Sequence, residues 1–307
     1  MVSVSVGVPV WNGERYLEAC VAGLLGQTRP PDEILISDNA STDGTAALAD
    51  GLAAAEPTVR VVRHAENVGA AGNFNGLVTR GDAELFAWCP HDDVWSPHLL
   101  AELIAAHDEP GVAIAYGAPH FIDADGEPAG EPEPAIWTDR DDPIDRLREL
   151  FADPIRSHLH VCNPVLGLMR RDLLIDTGVI RPYGGSDKVL IVEMALRGRL
   201  VPVDAAFHRR LHETSSVKAN PDGESRRRWF DPNATGPALP ESRLLGGFWS
   251  AVSDAPLTPA QRRSARRVLL SWARQGRRPR VLLGEARRWA AWRAQRAVAT
   301  VSSAGRP

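Results

Sequence analysis

Glu33-Ile-Leu-Ile-Ser-Asp-Asn-Ala-Ser-Thr-Asp-Gly-Thr45 reads as a short buried strand over residues 33–37. It runs into a turn of small polar residues and then into a helix from about Gly44 to Ala55. Upstream, Val2 to Val8 is rich in β-branched residues and ends at Pro9, which marks a first strand. Asn12-Gly-Glu-Arg-Tyr-Leu17 then looks like a helix start with Asn12 as N-cap, and Tyr16, Leu17, Cys20, Leu24 and Leu25 supply its apolar stripe. Downstream, Val59 to Arg63 and Glu84 to Cys89 are the third and fourth strands, with a glycine-bearing helix from Gly69 to Thr79 between them. A helix from Ser96 to His107 follows, with Ser96 as N-cap and Pro97 in its first turn, and Val112 to Tyr116 is a fifth strand.

This alternation predicts an α/β fold with a doubly wound, mostly parallel sheet. Ligands of such sheets bind beyond the carboxyl ends of the strands. The polar clusters at Asn12, Asp38, Asn67 and Asp92 each follow a predicted strand, so they should gather on one edge. Further on, Glu127 to Pro134 reads as an exposed loop, Pro143 to Phe151 and Asp187 to Arg197 as helices, and Lys218 to Glu241 as a loop. Helical signals return at Ser242 to Ser253 and from Pro259 onward.

Composition narrows the classes. Apolar residues make up 44% and charged residues 24% of the 307, which suits a globular protein with a real core. The net charge of −4 hides an asymmetry: Pro259 to Pro307 holds thirteen Arg and one acid, Glu285, so the tail carries +12 and the rest −16. Cys20, Cys89 and Cys162 are widely spaced with no C-x-x-C pair, so a reduced, cytoplasmic setting is expected and a zinc site is not. No leader-like n-region and h-region precedes the first strand, and no apolar run approaches the ~18 residues of a bilayer span. The first strand leads into Gly7-Val-Pro-Val-Trp-Asn-Gly13 instead of G-x-G-x-x-G, which argues against a dehydrogenase. A nucleotidyltransferase would want a Gly-rich phosphate loop near the N-terminus, and none is there. No nucleic-acid partner is expected.

Two polar turns carry chemistry. Asp92 and Asp93 follow a strand directly, and adjacent ionised carboxylates favour a hard divalent cation beside them; the same pair also suits a plain helix-entry turn. Asp38 heads Asp-Asn-Ala-Ser-Thr-Asp43, where a carboxylate can accept the imide N–H of uracil or thymine, while Ser41 or Asp43 suits a cap for the next helix.

Val8-Pro-Val-Trp-Asn-Gly-Glu-Arg-Tyr-Leu17, Gln27 to Thr45, Asn67-Val-Gly69 and His91-Asp-Asp-Val-Trp95, in this order and spacing, resemble the family 2 glycosyltransferases of GT-A fold. The resemblance implies an inverting transfer of a sugar from a nucleotide diphosphate, UDP or dTDP favoured, to an acceptor hydroxyl, with Mn²⁺ or Mg²⁺ as cofactor. It places Pro9, Asn12, Glu14, Asn67, Gly69 and Asn73 about the donor nucleotide and Asp38 on its base. It makes Asp93 the direct metal ligand and puts Asp92 nearer the donor sugar. His91 stands where the motif usually opens with aspartate. More weakly, Tyr183-Gly-Gly-Ser-Asp-Lys-Val-Leu190 is similar to the segment holding the catalytic base, with Asp187 as the match and Glu193 as second choice. Arg209-Arg-Leu-His-Glu-Thr-Ser-Ser216 is similar to a late segment whose histidine completes the metal shell; His212 is the candidate, and Arg210 would balance phosphate charge. His158 and His160 read as packing or acceptor-wall residues.

The implied organisation is a catalytic domain over residues 1–215, its donor half at about 1–117 and acceptor half at 118–215. A loop-rich connection at 216–257 and an Arg-rich helical segment at 258–307 follow. The acceptor stays open among glycan, lipid-linked and small-molecule classes. In the tail, Arg262, Arg263, Arg266 and Arg267 alternate with Val268, Leu269, Leu270 and Trp272, and Arg287, Arg288, Arg293 and Arg296 surround Trp289 and Trp292. Such a helix either meets a membrane surface or packs on the acidic domain. A catalytically inactive nucleotide-binding module of the same fold is the other reading of the whole.

Overall fold

A computed structural model describes residues 2–131, 138–152, 163–212, 219–220 and 222–304. The donor-half alternation is present: β1 (Val4–Val10), α1 (Leu17–Leu25), β2 (Glu33–Asp38), α2 (Thr45–Ala55), β3 (Val59–Arg63), α3 (Gly69–Arg80), β4 (Leu85–Trp88), β5 (Val94–Trp95), α4 (Leu99–Ala106) and β6 (Val112–Ile122). After these come α5 (Pro143–Phe151), a 3₁₀ turn (Asn163–Leu166), β7 (Leu168–Arg170), α6 (Arg171–Ile175), α7 (Ser186–Ala195) and β8 (Arg199–Arg210). The C-terminal helices are α8 (Gly223–Phe230), α9 (Pro240–Asp254), α10 (Pro259–Ala273) and α11 (Arg278–Ala304).

The eight strands form one sheet in the order β3-β2-β1-β4-β7-β6-β8-β5. It is mixed: β1, β2, β3 and β4 run parallel, β6 pairs parallel with β8, and the short β7 and β5 run antiparallel to their neighbours. Alternation along the strands splits the core onto both faces, so that Leu35 faces one helical layer while Ile34 and Ile36 face the other. One layer holds α1, α2 and α4; the other holds α3, α5, α7, α9 and α10.

Several boundaries differ from the sequence expectation. Asn12 is not an N-cap: it sits at φ 52, and α1 begins at Leu17 without a side-chain cap. Asparagine tolerates this left-handed conformation, so it turns the chain sharply between β1 and α1. Helix α4 starts at Leu99, because Ser96 and Pro97 lie in a turn whose carbonyl oxygens bind Leu99 N–H, Gln27 Nε2 and Thr28 N–H. Inside the expected loop at 218–241, α8 forms behind a capping box at Asp222 and Ser225.

The Arg-rich tail folds onto the helical layer formed by α5 and α9. Ala265, Leu269 and Trp272 of α10 are buried in the same core as α5, α7 and α9, and Phe151, Phe248 and Trp272 pack edge to face with centroids 5.1–5.9 Å apart. Glu285 of α11, 0% exposed, accepts the N–H groups of Glu241 (3.2 Å) and Ser242 (2.7 Å), capping α9 from another helix. Among the described residues no helix is long and apolar enough to cross a membrane. Cys20 and Cys89 are free, buried thiols 3.6 Å apart; Cys162 lies outside the described residues.

Candidate functional site

The carboxyl ends of β1, β2, β4, β6 and β8 share one edge, and because β5 is antiparallel to β8, Asp92 and Asp93 at its start share that edge too. Helix α7 feeds the opposite end of β8, at Arg199, so its N-terminal Asp187 lies at the carboxyl edge as well. The topology thus gathers Asp38, Asp92, Asp93, Asp187, Arg210 and His212 on one side of the sheet.

The two donor-side loops are laced together. Asn12 N–H donates to Ser41 Oγ (2.9 Å), and Asn12 Oδ1 accepts from Thr42 N–H (2.8 Å). Glu14 accepts Gly44 N–H (3.0 Å), and Asp43 accepts the N–H and hydroxyl of Thr45 (3.1 and 2.5 Å), which together satisfy the start of α2. Asp38 is 2% exposed; its carboxylate accepts Ser41 N–H (3.0 Å) and lies 3.7 Å from Arg63 Nε. Beneath it, Asn73 accepts the Ser37 hydroxyl (2.6 Å), and Pro9 pairs with Ser37 across β1 and β2. Asn67 Oδ1 accepts from Asn39 Nδ2 (3.1 Å) and Gly69 N–H (2.9 Å). Gly69 stands at φ +76 with Phe230 O and Pro232 so close that a Cβ would meet them at 2.5 and 2.7 Å. Asn39, which the sequence reading passed over, is the residue that ties this turn to β2.

The acidic pair divides its partners. His212 Nε2 lies 2.9 Å from Asp92 Oδ2, whereas Asp93 Oδ1 accepts the backbone N–H of Arg210 at 3.0 Å. Burial, and then the charge of Asp92, push the Asp93 carboxyl well above the usual carboxylate range. Burial also acts upward on Asp92, but the His212 hydrogen bond and the charge of His91 outweigh it and leave Asp92 below its ordinary value. Arg210 donates from Nε to Asp92 O (3.1 Å) and from Nη1 to Asp123 O (2.9 Å) and Ala124 O (3.2 Å). Its guanidinium stacks on Tyr16 at 4.7 Å, with Arg15 at 5.1 Å from the same ring and the His212 ring 5.0 Å away. On sequence Tyr16 belongs to the apolar stripe of α1; nothing in the local pattern distinguishes a ring that ends under an arginine from one that ends in the core.

Asp187 sits behind Gly185, which takes φ 85 to start α7, and among the described residues its carboxylate accepts one hydrogen bond, from Lys188 N–H (3.0 Å). The carboxylate is therefore open to a further donor. Glu193 is a different case: it is 2% exposed and holds Arg181 through two contacts of 2.7 and 3.1 Å, so the second choice for the base is a structural ion pair. His158 and His160, and residues 213–216 after His212, lie outside the described residues.

The acidic pair fits a divalent cation. Two adjacent carboxylates are buried together, Asp93 pushed upward by that burial and by its neighbour's charge, and only Asp92 meets an imidazole. A cation on Asp92 and His212 would keep most of its sites for phosphate oxygens and water, as Mg²⁺ and Mn²⁺ prefer. Among the described residues no cluster of three or more His, Cys, Asp and Glu forms a complete protein cage.

A family model described as glycosyl transferase family 2 matches residues 5–178. A Bacillus subtilis (strain 168) protein named for teichuronic acid biosynthesis, the glycosyltransferase TuaG, is 30% identical over 125 residues, covering 41% of this chain and 50% of that protein. The chain thus spans about half the length of the curated relatives it matches. Two solved structures share the fold. S. aureus TarS 1-349 in complex with UDP-GlcNAc has a TM-score of 0.58 and 15% identity, covering 88% of this chain and 72% of that one. The mannosyltransferase PcManGT from Pyrobaculum calidifontis, in complex with GDP-Man and Mn²⁺, has a TM-score of 0.56 and 18% identity, covering 99% and 79%.

Proposed function

Since the chain belongs to glycosyl transferase family 2 and has the GT-A fold, we propose that it is a metal-dependent, inverting glycosyltransferase that moves a sugar from a nucleotide diphosphate to an acceptor hydroxyl. The observation that carries this reading is the gathering of Asp38, the Asp92–His212 pair and the open Asp187 carboxylate on the carboxyl edge of one sheet. The complexes of similar fold with UDP-GlcNAc and with GDP-Man and Mn²⁺ support a nucleotide-sugar donor and a divalent metal.

The roles follow from the contacts. Asp92 and His212 would hold the cation, with Asp93, the ligand expected on sequence, as the carboxylate beside them that is anchored to β8. Bound there, Mn²⁺ or Mg²⁺ supplies Lewis-acid neutralisation of the diphosphate leaving group. Pro9, Asn12, Glu14, Asn67, Gly69 and Asn73 shape the nucleotide cleft mainly by fixing loop backbones, and Asp38 lies at its floor for a uracil or thymine imide. Asp187 accepts the proton of the acceptor hydroxyl as it attacks the anomeric carbon. Arg210 acts as a positioning residue, because its Nε and Nη1 donate to the carbonyls that hold the Asp92 turn. Peripheral contact with anionic lipid would be made through the arginines of α11 and its exposed apolar side chains Leu283 (55%) and Trp289 (44%). Failure of the full chain to co-sediment with phosphatidylglycerol vesicles would remove that part.

Calorimetric titration of UDP, dTDP and GDP, with and without Mn²⁺, tests the whole reading. Metal-dependent binding of one diphosphate, lost in Asp92→Ala and weakened in Asp93→Ala, is expected. Binding of none sinks it.

A further inference from the structure

An open cavity of about 570 Å³ lies beside the start of α7. Its walls are the Arg181–Tyr183 segment, the chain after α8 from Asp231 to Thr235, and one face of α9 with Arg243, Gly246 and Ser250. Its size falls within the roughly 300–1,000 Å³ of ligand cavities. Asp187 follows Tyr183 by four residues, so this space adjoins the turn that carries the proposed base.

Three observations bear on how the cavity is kept open and on the charge in its wall. Gly246 lies inside a helix, where glycine costs about 1 kcal/mol against alanine. Yet a Cβ there would meet nothing within 4 Å, so no packing demand explains it. Its neighbour Gly247 does have a packing role: a Cβ would meet Tyr183 Oη at 2.6 Å, and its absence lets α9 press the tyrosine against the cavity. The half-buried Arg243 has no carboxylate partner among the described residues, and its guanidinium lies 5.6 Å from the Tyr183 ring centroid. The other arginine of the wall, Arg181, is neutralised by Glu193.

The charge pattern selects the ligand. Arg243 and Asp231 face the same space, so an anion attracted by one meets the other. Uncharged hydroxyls suit both, since each hydroxyl donates one hydrogen bond and accepts two. Planar guanidinium, carboxylate and amide groups (Arg243, Asp231, Asn233), with the hydroxyls of Tyr183 and Thr235, match the vicinal hydroxyls of a pyranose.

We propose that this cavity is an acceptor subsite that holds a neutral saccharide unit next to the hydroxyl being glycosylated, so that the acceptor is itself a glycan. This rests on the transferase reading above and narrows its acceptor class. The test is an array of neutral and phosphorylated oligosaccharides, probed with the labelled full chain at saturating UDP and Mn²⁺. The wild type should retain neutral oligosaccharides that share one saccharide unit. Gly246→Phe, which fills the cavity, should weaken that signal at least tenfold, and Arg243→Ala should weaken it too. Titration of UDP against Gly246→Phe reports whether the donor half is folded; if it is not, Thr235→Trp narrows the same space from the exposed wall. Equal binding by wild type and the filled variant overturns the subsite, as does a wild type that binds no oligosaccharide or only phosphorylated ones. A wild type that binds none of UDP, dTDP and GDP is a separate result that overturns the transferase reading instead.

Discussion

Replacing Arg210 with lysine separates two roles that the same charge could play. The side chain spans two groups of acceptors: Asp92 O at its Nε end, and Asp123 O and Ala124 O at Nη1. A lysine ammonium is a single point and cannot serve both ends. Each hydrogen bond from a charged group contributes about 1.5–3 kcal/mol, so losing at least one costs that much. Losing the stacking on Tyr16 adds about 0.5–2 kcal/mol. At an unfolding entropy of ~2.1 cal/mol/K per residue, a chain of this length loses roughly 1.5 °C of Tm per kcal/mol, so R210K should melt about 3–7 °C below wild type. The Asp92 turn then loses its anchor, and Mn²⁺-dependent nucleotide affinity should fall about 10–100-fold, as when an outer-shell partner of a metal ligand is removed. Differential scanning calorimetry and nucleotide titration read the two effects. If R210K keeps both stability and affinity while R210A loses affinity, charge alone matters and Arg210 is a phosphate-binding residue after all.

Other consequences are as direct. Asp187→Asn should lower transfer about 10²–10⁴-fold in a product assay while nucleotide titration stays at the wild-type value; an unchanged rate removes Asp187 from the chemistry. Glu285→Ala leaves two N–H groups at the start of α9 without their acceptor, at about 1–3 kcal/mol each if both stay buried, and should lower Tm by several degrees; no change would mean that α11 is not docked as described. The raised Asp93 sets a pH dependence in the metal-free protein. Between the ordinary carboxylate range and its raised value, the folded state holds a proton that the unfolded chain has released, so stability falls as pH rises through that window. Asp93→Asn should flatten this slope in urea titrations at several pH values, and a slope as steep as in wild type would show that other groups cause it.

The sequence by itself determined the donor-side alternation, because β-branched runs of period two and helices of period 3.6 carry their own signal. It also determined that polar turns follow strands, and hence that Asp38, Asp92 and their neighbours would meet at one edge. Helix starts were less legible: Asn12 looks like an N-cap, but its side chain is claimed by Thr42, thirty residues away. The tertiary structure alone decided which acid meets which partner. Asp92 and Asp93 are adjacent letters, and only the pairing of β5 with β8 turns one toward His212 and the other toward the Arg210 amide. Tyr16 is of the same kind, an ordinary stripe residue until β8 lays Arg210 over its ring. The basic tail left two readings open in sequence, since an Arg/Trp helix suits lipid and protein alike. The structure buries Trp272 and Glu285 and keeps Leu283 and Trp289 outside, because burial depends on which face the rest of the fold covers.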